Sequence, residues 1–340
     1  MNMNRRLFMG SAAASTLLAG CGSAPQASAD TYPRIDTFAD GLSDLIDPNA
    51  SIEILAGGYG WSEGPVWDRE RNCLYFTDVP GNILWRWSDA DGATELLNPS
   101  GIPKSEAQGF REPGANGLLI AQDGRLLICN HGKRAIETMN IDTGDREILV
   151  GTYEGKRFSS PNDIIQAADG TLWFTDPPYG LEGLDASPLK EMDVNGVYRL
   201  APDGTLSRII EDMTFPNGVA LSPDESRLYI TQSDPENAIL RTANPDGSGA
   251  SLLYDFNPFL AEGLQGLPDG LAVCESGHIF SSGPNGIYVI APDGTGLGRI
   301  NTGKPTANCT FGDADGRTLY ITSYDTLMRV RTKVRGLPWT

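Results

Sequence analysis

The sequence predicts an all-β fold, a six-bladed β-propeller with four-stranded antiparallel blades, and three observations predict it. One short pattern returns six times along the chain, at intervals of 41 to 56 residues. Each copy is followed by a second strand-like run and then by a turn signal that leads into a third. Finally, 40 Gly and 23 Pro among 340 residues, with 40% of the residues hydrophobic, punctuate many short segments instead of a few long ones. A sandwich or an open solenoid would not call for six near-equal copies.

The copies are "LYFTD" from Leu74, "LLICN" from Leu126, "LWFTD" from Leu172, "LYITQ" from Leu228, "HIFSS" from His278 and "LYITS" from Leu319. Their β-branched and aromatic residues suit strands. The second runs, "ILWRW", "AIETMN", "GVYRLA", "AILRTA", "GIYVIA" and "TLMRVR", are followed by turn sequences such as "DADG", "DTGD", "APDG" and "NPDG". One more candidate, "SIEILA" at 51–56, precedes the first copy, whereas the last unit ends at its third strand near residue 330. The early strand is therefore expected to complete the last blade and close the ring, which removes an exposed sheet edge.

A polar position recurs with the blades. Glu63 in "WSEGPVW" lies 11 residues before Leu74, and Asn116, Asn162, Asn217, Asp269 and Asn308 stand 9 to 11 residues before the later copies. The first strand of each blade lines the central channel, so these side chains are expected to converge at one of its mouths. Two carboxylates, Glu63 and Asp269, cannot be buried side by side without compensation, and a hard cation supplies it, which makes this a metal-binding channel. Carboxylate and amide oxygens without histidine or thiolate suit Ca2+ best, Mg2+ or Mn2+ less well and Zn2+ least. Asn or Asp before Gly is also common turn chemistry, the competing reading for any one of the six.

The motifs "WSEGPVW", "SSPNDI", "WFTDPPYG", "FPNGVALSPD", "LPDGLAV" and the closing "TLYITS" with "RVRTKVRG" resemble the gluconolactonase and regucalcin-like (senescence marker protein-like) family of calcium-dependent propeller lactonases, from about residue 50 onward. The resemblance implies Glu63, Asn162, Asn217 and Asp269 as calcium ligands, with Asn116 and Asn308 as turn or supporting residues. It also implies Asp269 as general base; a metal-bound carboxylate is a weak base, so Asp176 and His131 stay open for that role. Some members carry an arginine where this chain has Ser160, which leaves the substrate open. The expected reaction is hydrolysis of a sugar lactone such as gluconolactone. An aryl-ester or organophosphate hydrolase, or a non-catalytic calcium-stabilised binding propeller, are the alternatives.

Residues 98–114 and 177–195 are too long for tight turns and are expected to wall a pocket. Arg111, Arg157, Asp176, Tyr179, His131 and Asn116 are the candidate substrate contacts, and their chemistry suits a polyhydroxylated lactone. With two histidines in the chain and no GxSxG, covalent serine catalysis is not expected.

The first residues, "MNMNRRLFMGSAAASTLLAGC", resemble a twin-arginine export signal ending in a bacterial lipobox, so residues 1–20 are expected to be cleaved and Cys21 lipidated. Residues 21–48 are then a lipid-anchored tether and 49–340 the catalytic propeller, facing the periplasm of a bacterial envelope. The formal net charge of −18 becomes −20 without residues 1–20, which hold two arginines and no acid. Such acidity argues against nucleic acid, and leaves the lipid anchor as the membrane contact. Cys73, Cys129, Cys274 and Cys309 fall in no CxxC spacing and are expected to be buried free thiols. The sequence does not set an oligomeric state.

Overall fold

A computed structural model describes residues 31–337, so the expected leader and the lipid site at Cys21 lie outside the described residues. Six four-stranded antiparallel blades form the domain. Their first strands are Ser62–Asp68, Ala115–Ile120, Ile164–Gln166, Pro216–Leu221, Leu271–Val273 and Asn308–Gly312. Each first strand touches the next, and the sixth touches the first, so they form a closed ring around the channel. The six repeats of the sequence are the second strands, from Cys73–Asp78 to Thr318–Ser323.

The ring closes as the sequence predicts. Ile52–Gly57 pairs antiparallel with Thr326–Arg331, so the sixth blade takes its outer strand from the beginning of the domain. Arg329 reinforces the seam, with Nε 3.0 Å from Glu53 Oε2 and Nη1 2.8 Å from Asp89 Oδ1. The core lies between neighbouring blades. In one such layer Phe158, Phe174 and Tyr198, all fully buried, meet with ring centroids 5.0 to 5.3 Å apart. Cys73, Cys129, Cys274 and Cys309 are buried and free.

Residues 34–46, which were expected within the tether, instead pack on the propeller. Arg34–Thr37 adds a fifth strand to the outer edge of blade five, pairing with Gly296–Asn301. Asp36 accepts hydrogen bonds from Arg299 Nη2 and Asn301 Nδ2, both at 2.7 Å, and Leu42 and Ile46 are fully buried on the same blade. Burial pushes the Asp36 carboxyl up, but Arg34, Arg299 and Asn301 together hold it below its ordinary value. The sequence gives this segment little hydrophobic periodicity; a partner edge, not its own propensity, orders it.

Candidate functional site

The recurring polar residues sit at the start of the inner strands, and two local devices aim them. The first is a β-bulge directly after the polar residue, between Glu63 and Val66, Ala115 and Leu118, and Pro216 and Val219. A bulge re-aims one side chain without breaking the sheet. The second is the glycine that follows. A Cβ at Gly64 would stand 2.1 Å from the Asn116 carbonyl oxygen, at Gly117 2.3 Å from that of Asn162, and at Gly218 2.3 Å from that of Asp269. The "EG" pair at Glu63 and the "NG" pairs at Asn116 and Asn217 are therefore not turns, because each glycine lets the next inner strand approach in van der Waals contact.

The threonine of the repeat fixes the same backbone from behind. Thr77 donates to the Asn116 carbonyl at 3.1 Å, Thr175 to that of Asn217 at 2.6 Å and Thr231 to that of Asp269 at 2.5 Å. Each clip runs from one blade to the next, so the ring of blades sets the spacing of the site.

Glu63, Asn116, Asn162, Asn217 and Asp269 open together on a cavity of about 570 Å³, whose walls include Trp61, Arg111, Glu112, Tyr179 and Ser233. Asn308 does not join them. Its Oδ1 accepts from Cys309 N at 2.8 Å and its Nδ2 donates to Glu63 Oε2 at 3.2 Å, so it orients the glutamate. Gly64 N donates to the same Glu63 oxygen at 2.8 Å. Asn217 is oriented likewise: its Nδ2 donates to Ser233 Oγ at 2.8 Å, whose hydroxyl donates to the Pro268 carbonyl at 2.5 Å. The Asn217 Oδ1 is buried and has no partner among the described residues.

Burial first, and then its neighbours Glu63 and Asp163, push the Asp269 carboxyl well above the ordinary carboxylate range, and burial also raises Glu63. Two desolvated carboxyls, the orphaned Asn217 oxygen and the cavity-lining side chain of Asn162 offer an all-oxygen donor set that a hard divalent cation fits. Among the described residues no three His, Cys, Asp or Glu side chains gather in metal-binding geometry, since half of this donor set is amide.

Other expected site residues lie elsewhere. Asp176 is fully buried away from the cavity, where it accepts from Ser159 N at 2.9 Å and Ser160 N at 2.8 Å. Burial pushes its carboxyl up to about 7 against those two donors, yet it reaches no substrate. It is a repeat device, as Asp78 holds Gly60 N at 3.0 Å and Trp61 N at 3.2 Å in blade one. Arg157 is exposed on the short hairpin of Thr152–Tyr153 and Lys156–Arg157 and binds the Lys133 carbonyl at 2.9 Å, outside the cavity wall. His131 is fully buried behind Asn116. His278 ends in a turn, its Nδ1 3.0 Å from Ser276 Oγ.

The long stretches do form wall. Residues 98–114 and 177–195 dock through the Phe110 and Leu181 bridge and through Arg111 N to the Gly180 carbonyl at 2.9 Å. Tyr179 stacks on Phe215 with centroids 5.8 Å apart and donates to the Ser233 carbonyl at 3.3 Å. Arg111 Nε bonds Glu112 Oε1 at 3.0 Å; burial raises the Glu112 carboxyl and Arg111 opposes it. Glu112 and Ser233 were not read as site residues from the sequence. The acid next to Arg111 inside an overlong stretch was the one signal for Glu112. A similar-sized cavity of about 490 Å³ at the far end of the inner strands, beside Trp67 and Arg71, gathers no comparable set.

Residues 61–325 match the family described as SMP-30/Gluconolactonase/LRE-like region. The chain is 43% identical to a gluconolactonase of Zymomonas mobilis over 314 residues, 90% of this chain and 88% of that protein. It is 27% identical to the pentonolactonase XacC of Haloferax volcanii over 266 residues, 77% of this chain and 80% of the relative. Among solved structures, a gluconolactonase of Xanthomonas campestris superposes with a TM-score of 0.75 at 33% identity, covering 88% of this chain and 95% of that one. With its ring of inner-strand oxygens and its closed six-bladed frame, the chain belongs to the SMP-30/gluconolactonase/LRE-like family.

Proposed function

We propose that this protein is a calcium-dependent lactonase that opens a sugar lactone of the gluconolactone class. The observation that carries the reading is the convergence of Glu63, Asn162, Asn217 and Asp269, from four blades, on one cavity lined by polar side chains. The similarity to relatives named gluconolactonase and pentonolactonase supports the substrate class.

Glu63, Asn162, Asn217 and Asp269 would hold the cation. When bound, it supplies a Lewis acid that draws electron density from an ester carbonyl. Asp269 lines the cavity and can take the proton of an attacking water on its carboxylate oxygen. Asn308 and Ser233 keep Glu63 and Asn217 in single orientations, so no reorganisation is needed when the reaction begins. Arg111 and Tyr179 on the wall orient the lactone, and Trp61 and Leu267 give it an apolar face. With the expected leader and lipid, the reaction would take place on the periplasmic side of a bacterial membrane.

Lactone opening releases a proton, so the test is pH-indicator turnover by the purified protein on sugar lactones, with calcium and with chelator. Aryl esters and phosphotriesters run beside them. Turnover of lactones that chelator removes is the expected result. Preference for phosphotriesters or aryl esters would overturn the substrate class, and calcium binding without turnover of any ester would make the protein a binding propeller.

A further inference from the structure

Asn116 is the one cavity-facing side chain of the polar series that the expected calcium quartet leaves unused. It is 5% exposed, and its Nδ2 lies 3.3 Å from His131 Nε2. Its Oδ1 is buried without a partner among the described residues. This repeats the arrangement of Asn217, where the amide nitrogen is tied to the wall and the oxygen is left over. An unpartnered buried carbonyl oxygen is costly unless something outside the protein fills it.

His131 decides which way this amide points. The ring is fully buried, wedged against the Gly180 backbone, where a Cβ would meet the His131 Cβ at 2.8 Å. Its Nδ1 closes no hydrogen bond among the described residues. The Asn116 NH2 that lies 3.3 Å from Nε2 can only donate, so Nε2 carries the lone pair and the ring proton sits on Nδ1. Asn116 therefore gives its NH2 to the ring and its oxygen to the cavity.

Resting on the lactonase reading, we infer that Asn116 is a specificity residue whose Oδ1 accepts a hydrogen bond from a ring hydroxyl of the lactone, and that His131 is its positioning residue. The cavity then selects lactones that bring a hydroxyl donor to the blade-two wall. A ring without that hydroxyl leaves the oxygen buried and unpaired, and sites built this way reject the deoxy analogue by roughly 10²-fold or more.

The experiment has two arms. The first compares kcat/KM for gluconolactone and for unsubstituted δ-valerolactone in the wild type, Asn116→Ala and His131→Leu, with calcium titration of each. Both variants should lose at least about tenfold of the preference for gluconolactone, chiefly in KM, while calcium affinity stays as in the wild type. Equal losses on both lactones with weakened calcium binding would make Asn116 a metal ligand and overturn the inference, as would an unchanged preference. The second arm reads the His131 tautomer in the full-length protein by 15N NMR. An Nδ1-protonated ring supports the assignment, and an Nε2-protonated ring overturns it whatever the kinetics. Turnover of neither lactone by the wild type would overturn the lactonase reading and the hydroxyl contact with it, whereas the tautomer would still report whether the amide is set.

Discussion

Replacing Glu63 by Gln keeps the shape of the side chain and removes one of the two carboxylates of the expected calcium quartet. Glu63 uses one oxygen for Gly64 N and Asn308 Nδ2, at 2.8 and 3.2 Å, and its carboxyl, which also meets Asp269 and Trp61, would offer the other to the cation. A glutamine has one oxygen for both tasks. If that oxygen stays with the two donors, an NH2 faces the cation; if it turns to the cation, an NH2 faces two other N–H groups. Either arrangement costs about 2–4 kcal/mol of calcium binding, the scale of lost hydrogen bonds to a charged group. That is roughly a 30- to 700-fold loss of affinity.

A calcium concentration 100 times the wild-type Kd stabilises the wild type by about 2.7 kcal/mol. At about 2–4 °C per kcal/mol this raises Tm by roughly 5–10 °C. At the same calcium concentration the variant should gain under about 1 kcal/mol and so no more than roughly 3 °C. Without calcium the variant should be at least as stable as the wild type, since a desolvated carboxylate has left the side of Asp269. Asp269→Asn makes the same charge change and also removes the proton acceptor. Saturating calcium should thus restore part of the activity of Glu63→Gln and none of that of Asp269→Asn. The assays are thermal unfolding and calcium calorimetry beside lactone turnover. Wild-type affinity in both variants would refute the metal site, and calcium rescue of Asp269→Asn would refute its role as base.

Gly218→Ala places a methyl 2.3 Å from the Asp269 carbonyl oxygen, so the variant should lose about 1–3 kcal/mol of stability in denaturant titration, and calcium affinity with it. Burial depresses the His131 ring to about 3, against about 6.5 in the unfolded chain, so the unfolded state binds the extra proton. Stability from this group is complete above pH 6.5 and is lost as pH falls toward 3, by up to about 4–5 kcal/mol; His131→Gln should flatten that part of the pH–stability curve. Cys21→Ser should shift the protein from the membrane to the soluble fraction, and mass spectrometry of the wild type should find a lipidated N-terminus at Cys21.

The repeat was legible in the sequence because every blade must bury both faces, and the same β-branched and aromatic pattern answers that need six times. The six polar positions were legible as a series for the same reason, since similar offsets from equal strands place them at similar depth, and five of them open on the cavity; the quartet within the series came from the family resemblance. What each oxygen does was not. Asn308 and Asn116 share the offset, yet Asn308 spends its oxygen on the adjacent Cys309 N while its NH2 reaches Glu63 across the seam, and Asn116 keeps its own oxygen free, a difference that the spacing does not reveal. The glycines looked like turn formers because a dipeptide does not reveal what stands across the channel. Asp176 looked like a site residue because it follows the strand motif; its partners, Ser159 and Ser160, precede the inner strand of its blade, and only the folded register brings them to it. Residues 34–46 carry no strand pattern of their own, and a free edge on blade five decides their conformation.

The seam between Ile52–Gly57 and Thr326–Arg331 also imposes an order on events during synthesis. Arg329 and its partner Glu53 are 276 residues apart, so the last blade cannot form until nearly the whole chain has left the ribosome. Until then two unpaired strand edges are exposed, and they can pair with the edges of another nascent chain as readily as with each other. Contacts this distant in sequence also slow folding, because loop-closure entropy is lost before they form. Glu63 and Asp269 belong to blades on either side of that seam and reach their final separation only when it zips. Uptake of the proposed cation would then be the last event of maturation and would act as a latch on the finished ring. A chain held open would be recognisable by its failure to bind calcium while most of its strands are already in place.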